Sequence, residues 1–497
     1  MDLKKLTGKV FMIGLPSVSL DDESKNLLEH IQPGSIILIR RNIRDRAGIS
    51  LLIEEIKTFL DYKPLIAIDQ EGGMVTRLAA GFSLSPGAMA LGISKEPNAA
   101  YEAGRIMGQE MKEVGIDWNL APVVDINTNP QNPVIGIRSF SENVNTVVRN
   151  ASGFIKGLGE SGIISCLKHF PGSGRISADP HLDMPILNVS KKELYNQELI
   201  PFIIIASPSW MPTHVYIPSL QSEKVPATVS KEILTGLIIN ELKYDGVLVA
   251  DDLIMGGISN FYSIETAALK TFQAAVDVVA VCHDPVKQSN AYNFLKSEIS
   301  VSEKLQIRLA ESITRIDKII SISNADSTSM TPENWKENGS KMDKISISSV
   351  RILKAENNLL PLKEIDNIFF GTFKRPVLIE DSNNEIPDII TKTSAILNCQ
   401  IIRLENIITD KGKEEYITVS EGKKNLIFTE NAHLSEPLKL FIEKLAVVSD
   451  SLMLVAMRNP YDADINGVNN AICSYGYNYS QQQGILDLLF CNGGIKL

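Results

Sequence analysis

The feature that most constrains how this chain can fold is an alternation of two patterns across residues 1 to about 320. Short runs rich in apolar and β-branched residues alternate with longer segments of helical periodicity. Most of the runs are almost continuously apolar, which is typical of strands buried on both faces of a parallel sheet. The predicted strands are Val10–Gly14, Ser35–Ile39, Pro64–Asp69, Ile116–Asp125, Ile163–Lys168, Trp210–Val215, Gly246–Asp251 and Val276–Cys282.

The number and order of these units predict the fold class. Eight strands, each followed by a helical pattern, indicate an α/β fold built as a TIM (β/α)8-like barrel. An open doubly wound sheet is the alternative, but no Gly-x-Gly-x-x-Gly follows the first strand, so a dinucleotide-binding fold has little support. The clearest helical patterns are Ile49–Leu60, Ala99–Val114, Asn145–Glu160 and Ser230–Leu242.

A change of composition near Ser321 predicts the domain organisation. Residues 321–345 are polar, rich in Ser and Asn, and contain Pro332, which is typical of a linker. We therefore predict a barrel domain at 1–320, a linker at 321–345 and a smaller C-terminal α/β sandwich domain at 346–497. The strand candidates of the second domain are Asn367–Phe370, Pro376–Ile379, Asn425–Phe428 and Ser451–Ala456.

Charge and composition exclude several functional classes. The net charge of −10 gives no support for a nucleic-acid partner or an anionic membrane partner. The N-terminal apolar run is interrupted by Gly8 and Lys9, which favours a first strand over a signal peptide. No run approaches the roughly 20 apolar residues that span a bilayer. We therefore expect a cytoplasmic protein, and the sequence leaves its oligomeric state open.

The cysteines point to the same compartment. They are odd in number, scattered, and form no Cys-x-x-Cys pair, which predicts free thiols in a reducing environment. The cysteines are Cys166, Cys282, Cys399, Cys473 and Cys491.

Charged side chains stand where several predicted strands end. In a TIM barrel these positions converge on the C-terminal face, where catalytic groups are found. One such residue alone would merely mark a strand end at solvent, but several ends of this kind favour an active site. The residues are Asp69, Lys168, His169, His214, Asp251 and Asp252.

These residue types suit chemistry at a glycosidic bond. Cleavage with retention requires a carboxylate that attacks the anomeric carbon and a donor that protonates the leaving oxygen. Asp251 directly ends its strand and is the better nucleophile candidate of the Asp251–Asp252 pair. Lys168 and His169 can hydrogen-bond sugar hydroxyls, and Asp69 can accept from two neighbouring hydroxyls.

The loop after the fifth strand contains a second reactive pair. Its sequence, HFPGSGRISADPHLDMP, places Asp179 two residues before His181. A carboxylate at this spacing can hold one imidazole nitrogen and set the tautomer of the ring. The Gly-rich part lacks the Gly-Lys-Ser/Thr ending of a phosphate-binding loop, so it is not a Walker A motif.

Together these segments resemble glycoside hydrolase family 3, in its β-N-acetylglucosaminidase branch. Each segment is weak alone, but they follow the order of the family across the first domain. SVRILKAENNLLPL at 349–362 and VAMRNPYD at 455–462 give a looser match to the trailing domain of the family. The matching segments are IDQEGGMVTRL at 68–78, SPGAMALG at 85–92, GIDWNLAPVVDIN at 115–127, IGIRSF at 135–140, KHFPGSG at 168–174, DPH at 179–181, MPTHVYIP at 211–218, PATVS at 226–230 and YDGVLVADDLIM at 244–255.

The resemblance implies a role for each site residue. Asp251 matches the catalytic nucleophile, and His181, assisted by Asp179, matches the acid/base of this branch. His214 is assigned a supporting role in substrate binding. The implied reaction retains anomeric configuration, uses no metal or other cofactor, and acts on a small carbohydrate, a cell-wall fragment containing N-acetylglucosamine. The residues that match the binding site of the terminal sugar are Asp69, Arg138, Lys168 and His169.

Four positions depart from the usual family pattern. Met74 replaces an Arg, Ser173 a His, Pro180 a Ser and Ala250 a Ser. None of these departures removes a core catalytic group. The sequence as a whole leaves three alternatives open. These are a phosphorylase that uses the same site, a β-glucosidase, and a sugar-binding homologue with weak catalysis.

Overall fold

The computed structural model describes residues 3–323, 329–356, 359–372, 387–404 and 410–490. All eight strands predicted for the first domain lie in these ranges, and several are shorter than predicted. The candidate strand Pro376–Ile379 and Cys491 lie outside the described residues. The observed strands are β1 (Phe11–Gly14), β2 (Ser35–Leu38), β3 (Leu65–Ile68), β4 (Trp118–Asn119), β5 (Ile164–Phe170), β6 (Ser209–Pro212), β7 (Val247–Leu248) and β8 (Val279–Val281).

The eight strands form one parallel sheet that closes on itself. Their order is β7-β6-β5-β4-β3-β2-β1-β8, so each strand pairs with its neighbours in the sequence. Beyond β7 and before β8, a parallel bridge joins Val249 to Val278, and the amide of Ala250 donates to the Val278 carbonyl. This bridge connects the two ends of the sheet, which confirms the barrel and excludes the open doubly wound alternative.

Helices cover the outside of the barrel and begin where the sequence provides caps. The Asp45 carboxylate accepts from the Gly48 amide, and Asn143 accepts from Thr146 in the same way. The four clearest helical patterns are present, the last as a π-helical segment, Glu232–Glu241. The helices are α1 (Leu3–Lys9), α2 (Asp22–Ile31), α3 (Arg46–Phe59), α4 (Ala88–Ile93), α5 (Ala99–Glu113), α6 (Val144–Gly159), α7 (Lys191–Asn196), α8 (Ile200–Ile204), α9 (Gly256–Ser259), α10 (Ile264–Ala274), α11 (Pro285–Ser300) and α12 (Glu303–Ser323).

The segment predicted as a linker, 321–345, is helical over much of its length. Helix α13 spans Pro332–Ser349 and packs against α4 and α5 of the barrel. Thr331 and Asn334 form a reciprocal capping box at its start, and Pro332 occupies the first turn, where a missing amide costs nothing. The polar composition reflects a helix with one exposed face.

The second domain is built around a mixed sheet. Strand order is β11-β10-β12-β13-β14-β9, with β9 antiparallel to β14 and the other pairs parallel. Apolar clusters line both faces of this sheet, as expected of an α/β sandwich. Its elements are β9 (Arg351–Ala355), β10 (Asn367–Thr372), α14 (Asp388–Leu397), β11 (Ile401–Leu404), α15 (Asp410–Val419), β12 (Lys424–Glu430), α16 (Glu436–Val448), β13 (Ser451–Ala456), β14 (Asn470–Cys473) and α17 (Tyr479–Phe490).

None of the helices in the described ranges has both the length and the apolar character needed to cross a bilayer. Four cysteines fall in these ranges, and none of them forms a disulfide there.

A buried carboxylate ties α12 to the strand end of the barrel. Asp277, which is fully buried, accepts from Arg308 Nη2 at 2.8 Å and from Ser312 Oγ at 3.0 Å. Arg315 Nε donates to both of its oxygens at 3.1 Å. The Leu248 amide of β7 donates to Oδ2 at 3.0 Å, so one side chain links the sheet to the helix.

We expect Asp277→Asn to lower the free energy of unfolding of the barrel by about 3 kcal/mol, because it leaves the Arg308 and Arg315 charges buried without their carboxylate. Asp317→Asn, on α12, is the control, since it breaks only the exposed pair with Lys9 at 3.7 Å. An exposed pair of this kind contributes less than about 1 kcal/mol. Urea unfolding followed by circular dichroism measures both, and equal losses would contradict the assignment.

Candidate active site

A cavity of about 460 Å³ lies at the carboxyl ends of the barrel strands. Asp179 and His214 are not among its lining residues, but each contacts one that is. The remaining predicted site residues all line the cavity: Asp69, Arg138, Lys168, His169, His181 and Asp251.

A buried ion network forms one wall of the cavity. Lys168 Nζ lies 2.7 Å from Asp69 Oδ1 and 2.7 Å from Glu71 Oε1. Arg138 grips the same Glu71 through two parallel bonds, from Nε at 2.9 Å and Nη2 at 2.8 Å. Because bidentate pairs of this kind fix geometry as well as charge, the network holds Lys168 and Arg138 in defined positions.

The charges in this network stabilise one another despite their burial. Burial alone would raise the pKa of Glu71, but Arg138 and Lys168 hold that pKa well below its usual range. Burial likewise opposes the charge on Lys168, and the carboxylates of Asp69 and Glu71 nevertheless raise its pKa. The network is therefore ionised on both sides and presents fixed donors and acceptors suited to sugar hydroxyls.

His169 is oriented by a carboxylate that the sequence interpretation did not include. Its Nδ1 lies 2.7 Å from Asp125 Oδ2, and its amide donates to Asp125 Oδ1 at 3.2 Å. The Ser173 amide donates to the same oxygen at 2.6 Å. Since Arg138 Nη2 approaches His169 Nε2 at 3.4 Å as a donor, the ring carries its proton on Nδ1.

Asp251 has the environment of an ionised nucleophile. Its Oδ2 accepts from Thr213 Oγ1 at 3.1 Å, and its Oδ1 accepts from the Asp252 amide at 3.0 Å. Burial alone would raise its pKa, but the nearby His214, His169 and His181 rings, together with the Lys168 ammonium, lower that pKa below the ordinary value. A carboxylate that stays charged at neutral pH can attack an electrophilic carbon.

Asp252 differs from its neighbour in both contacts and charge. Its Oδ1 accepts from the amides of Ile254 at 3.2 Å and Cys282 at 3.1 Å, and its Oδ2 lies 3.8 Å from His283 Nε2. Burial raises the pKa of Asp252 to about 6, and the charge of Asp251 adds to the rise. The side chain therefore closes the turn that follows Asp251.

The loop after β5 brings His181 to the cavity. Asp179 Oδ1 lies 2.6 Å from His181 Nδ1 and accepts from the His181 amide at 2.9 Å. An ionised carboxylate only accepts, so Nδ1 carries a proton and Nε2 is left to exchange one with a substrate.

Two glycines after the nucleophile anchor this loop. The amides of Gly256 and Gly257 donate to the carbonyls of His181 and Pro180, at 2.9 and 2.8 Å. A Cβ at position 256 would lie 2.4 Å from the Leu182 carbonyl, and one at 257 would lie 2.8 Å from His214 Cβ. Only glycine permits this approach, which holds the backbone of His181 against the segment that follows Asp251.

His214 supports the site from behind the cavity wall. The ring is fully buried, its Nδ1 lies 2.7 Å from Thr228 Oγ1, and its Nε2 lies 3.1 Å from the Asp252 carbonyl. A carbonyl only accepts, so Nε2 is the protonated nitrogen. Burial lowers the pKa of His214. Thr228, from the segment PATVS, thus orients a ring that braces the nucleophile turn.

The four departures from the family pattern occupy separate places. Met74 packs on the apolar cluster shared with the second domain, and Arg77 is the arginine of this segment that lines the cavity. Ser173 and Pro180 line the cavity through the loop after β5, and Ala250 lies beside the nucleophile.

Glu71, Asp125 and Thr213 are the site residues that sequence reasoning missed. Each was adjacent to a motif that was considered: Glu71 follows Asp69 by two residues, and Asp125 ends the fourth predicted strand. Thr213 directly precedes His214. The signal was therefore present, but nothing in the sequence shows which polar residue at a strand end faces the cavity.

Across the described ranges, no group of three or more His, Cys, Asp or Glu side chains has the geometry of a metal site. The closed (β/α)8 barrel thus carries an ionised acid and a carboxylate-held imidazole on one cavity, at the strand ends where the catalytic groups of such barrels lie.

Comparison with known proteins identifies the family. The model for the glycosyl hydrolase family 3 N-terminal domain matches residues 5–319. Beta-hexosaminidase A of Pseudoalteromonas piscicida is 33% identical over 378 residues, which cover 70% of this chain and 62% of that protein. The match thus spans less than two thirds of that relative. The chain belongs to glycosyl hydrolase family 3 and is a glycoside hydrolase.

Solved structures align with the whole chain or with part of it. A family 3 β-N-acetylglucosaminidase from Paenibacillus sp. aligns with a TM-score of 0.88 at 29% identity, covering 99% of this chain and 97% of that one. NagZ from Neisseria gonorrhoeae, in complex with N-trifluoroacetyl-D-glucosamine, aligns with a TM-score of 0.56 at 29% identity, covering 68% and 98%.

The raised pKa of Asp252 predicts a pH-dependent stability difference. The pKa of this acid rises on folding, from 3.8 to about 6. Such an acid does not lower the free energy of unfolding at pH values below both pKa values, and it lowers it most above pH 6. Asn at this position keeps the acceptor for Ile254 and Cys282 and carries no charge. We expect Asp252→Asn to have a higher free energy of unfolding than the wild type at pH 7.5. This advantage should exceed the advantage at pH 4 by up to about 3 kcal/mol. Urea unfolding at both pH values measures the gain, and a difference independent of pH would contradict it.

Proposed function

We propose that this protein is a retaining exo-β-N-acetylglucosaminidase. The single observation that carries the proposal is the presence of Asp251 and His181 on the walls of one cavity, with Asp179 holding the imidazole. The names of the similar proteins, which include a β-N-acetylglucosaminidase and a beta-hexosaminidase, support the substrate class.

In the first step, the Asp251 carboxylate attacks the anomeric carbon and forms an ester bond to the sugar. The bond between that carbon and the leaving oxygen breaks, and the protonated His181 ring gives its Nε2 proton to the oxygen. Asp179 stabilises the positive ring before the transfer and retains the Nδ1 proton afterwards. The geometry of His181 and Asp179 supports this assignment of the acid.

In the second step, water attacks the same carbon from the face that the leaving group vacated. The neutral His181 ring removes the proton of the water, and Asp251 leaves as a carboxylate. Two inversions at one carbon give retention of configuration. Throughout, Lys168, Arg138 and Asp69 hold the hydroxyls of the terminal sugar, since their charged groups are fixed along one wall of the cavity.

The natural substrate that we propose is a cell-wall fragment in which N-acetylglucosamine is linked to a muramyl unit. The proposal rests on the family resemblance, which also implies a role in peptidoglycan recycling in the cytoplasm. Digestion of purified muropeptides, followed by mass spectrometry, tests it through release of a single N-acetylhexosamine. Release of glucose from glucosides at a higher rate would instead favour the β-glucosidase alternative.

We expect Asp251→Asn to reduce kcat/KM on 4-nitrophenyl N-acetyl-β-glucosaminide by more than about a thousandfold, because an amide is a poor nucleophile. Asp252→Asn is the matched control at the next position, and it retains most of the activity. A fluorinated N-acetylglucosaminyl fluoride, which forms the ester faster than water releases it, should label the peptide that contains Asp251. Near wild-type turnover by Asp251→Asn would refute the nucleophile assignment.

We expect the effect of His181→Ala to depend on the leaving group. A nitrophenolate leaves without a proton, so its release in the first step should slow far less than that of a sugar alcohol. The second step still lacks its base, and azide, which needs none, should restore turnover and yield the β-azide. Equal losses on both kinds of substrate, without rescue by azide, would remove His181 from the acid/base role.

Phosphorolysis at the same site is the alternative that the acid/base chemistry favours. A histidine places no formal negative charge where an incoming phosphate would bind, whereas a carboxylate would repel it. Product analysis in phosphate buffer separates the outcomes, because a phosphorylase yields the sugar 1-phosphate and a hydrolase yields the free sugar. Sugar binding without either product would favour the catalytically weak homologue.

A further inference from the structure

The second domain contacts the loop that carries Arg138, one of the residues that line the cavity. We propose that this domain positions Arg138 for sugar binding by clamping residues 127–138, and that Tyr461 is the central positioning residue of the clamp. The proposal deepens the function proposed above and rests on it, because it takes Arg138 as a ligand of the terminal sugar.

The first contact joins Tyr461 to the start of the loop and to Glu142, which follows its end. Its hydroxyl accepts from Asn127 Nδ2 at 2.7 Å and donates to Glu142 Oε1 at 2.5 Å. Burial and the neighbouring Glu142 raise the pKa of Tyr461 well above its usual range, so the hydroxyl keeps the proton it donates. Asn127 is fully buried, so this hydroxyl satisfies an amide that is shielded from water.

The second contact lies directly beside Arg138. Gly136 has a φ of +45°, and a Cβ there would lie 2.6 Å from Asn459 Oδ1. The Asn459 amide is itself held by Asn431 Oδ1 at 2.7 Å. Ile137 completes this contact, because it belongs to the apolar cluster that also contains side chains of β12, β13 and α16. The backbone on the N-terminal side of Arg138 therefore rests on the second domain.

The third contact fixes the tip of the loop. His433 Nε2 lies 3.0 Å from the Pro130 carbonyl, and its Nδ1 lies 2.6 Å from Asp462 Oδ1. Both partners of this ring are acceptors, so the ring bridges the Pro130 carbonyl and the Asp462 carboxylate. Asp462 is fully buried and also accepts from Thr429 Oγ1 at 2.7 Å, which anchors the ring to β12.

Within the loop, hydrogen bonds transmit this fixed position to the guanidinium. Asn132 Oδ1 accepts from the amides of Val134 and Ile135, each at 2.9 Å. Arg138 Nη1 donates to the Val134 carbonyl at 2.9 Å, while its other nitrogens hold Glu71. The second domain thus holds the loop at Asn127, Pro130 and Gly136. Arg138 is bonded to the backbone of the same loop, and displacements near 1 Å at such positions can cost about a hundredfold in rate.

The test measures whether Tyr461 acts through Arg138. We expect Tyr461→Phe in the full chain to lower kcat/KM on 4-nitrophenyl N-acetyl-β-glucosaminide about tenfold, mainly through a higher KM. The Arg138→Lys background keeps the charge but loses the bidentate pair with Glu71. In that background, Tyr461→Phe should lower kcat/KM by less than about twofold. Tyr244→Phe is the matched control, because it removes a tyrosine bond to the Ser207 carbonyl within the barrel.

Each outcome decides the proposal. Equal effects of Tyr461→Phe in both backgrounds, or no effect in the wild type, would overturn it. If Tyr461→Phe does not fold, Asn459→Ala replaces it with the same expected coupling. A rise in KM matched by Tyr244→Phe would also overturn it, since that would reflect general loss of stability. Failure of the wild-type chain to cleave the substrate would refute the proposed function instead, before any variant is compared.

Discussion

The active site depends on the pairing of buried charges at Glu71. This carboxylate lies between Lys168 and Arg138, and all three side chains are almost completely buried. Leaving a buried charge without its partner lowers stability by several kcal/mol. The segments that carry these residues are therefore held in the one arrangement that keeps the charges paired. The network connects β3, β5 and the loop after β4, and it places cationic donors along one wall before any sugar arrives.

Neighbouring carboxylates at the end of β7 show how local environment divides roles. Asp251 lies in the positive field of Lys168 and the surrounding histidines and remains ionised, whereas burial raises the pKa of Asp252. Asp251 accepts from the Thr213 hydroxyl, and Asp252 closes the turn through backbone amides. The separation of two acids by environment is a general means of assigning distinct chemical roles to identical side chains.

Much of the fold was predictable because buried parallel strands have a strong apolar signature. All eight barrel strands follow such runs, and so do the three described strand candidates of the second sheet, which are β10, β12 and β13. Three strands of the second sheet were not predicted. β9 and β11 lie at the edges of the sheet and are partly exposed, and β14 is only four residues long. Helix α13 was taken as a linker because its exposed face is polar.

The sequence by itself determined the barrel and the order of its strands, because the period of apolar residues dictates which segments can be buried. It also determined the chemical types at the strand ends, including Asp251 and the Asp179–His181 pair. Only the tertiary structure decided which polar groups share the cavity, that Glu71 and Asp125 orient their neighbours, and that the second domain contacts the Arg138 loop. These relations join residues far apart in the chain, and side-chain pairing across such separations leaves no periodic trace in a single sequence.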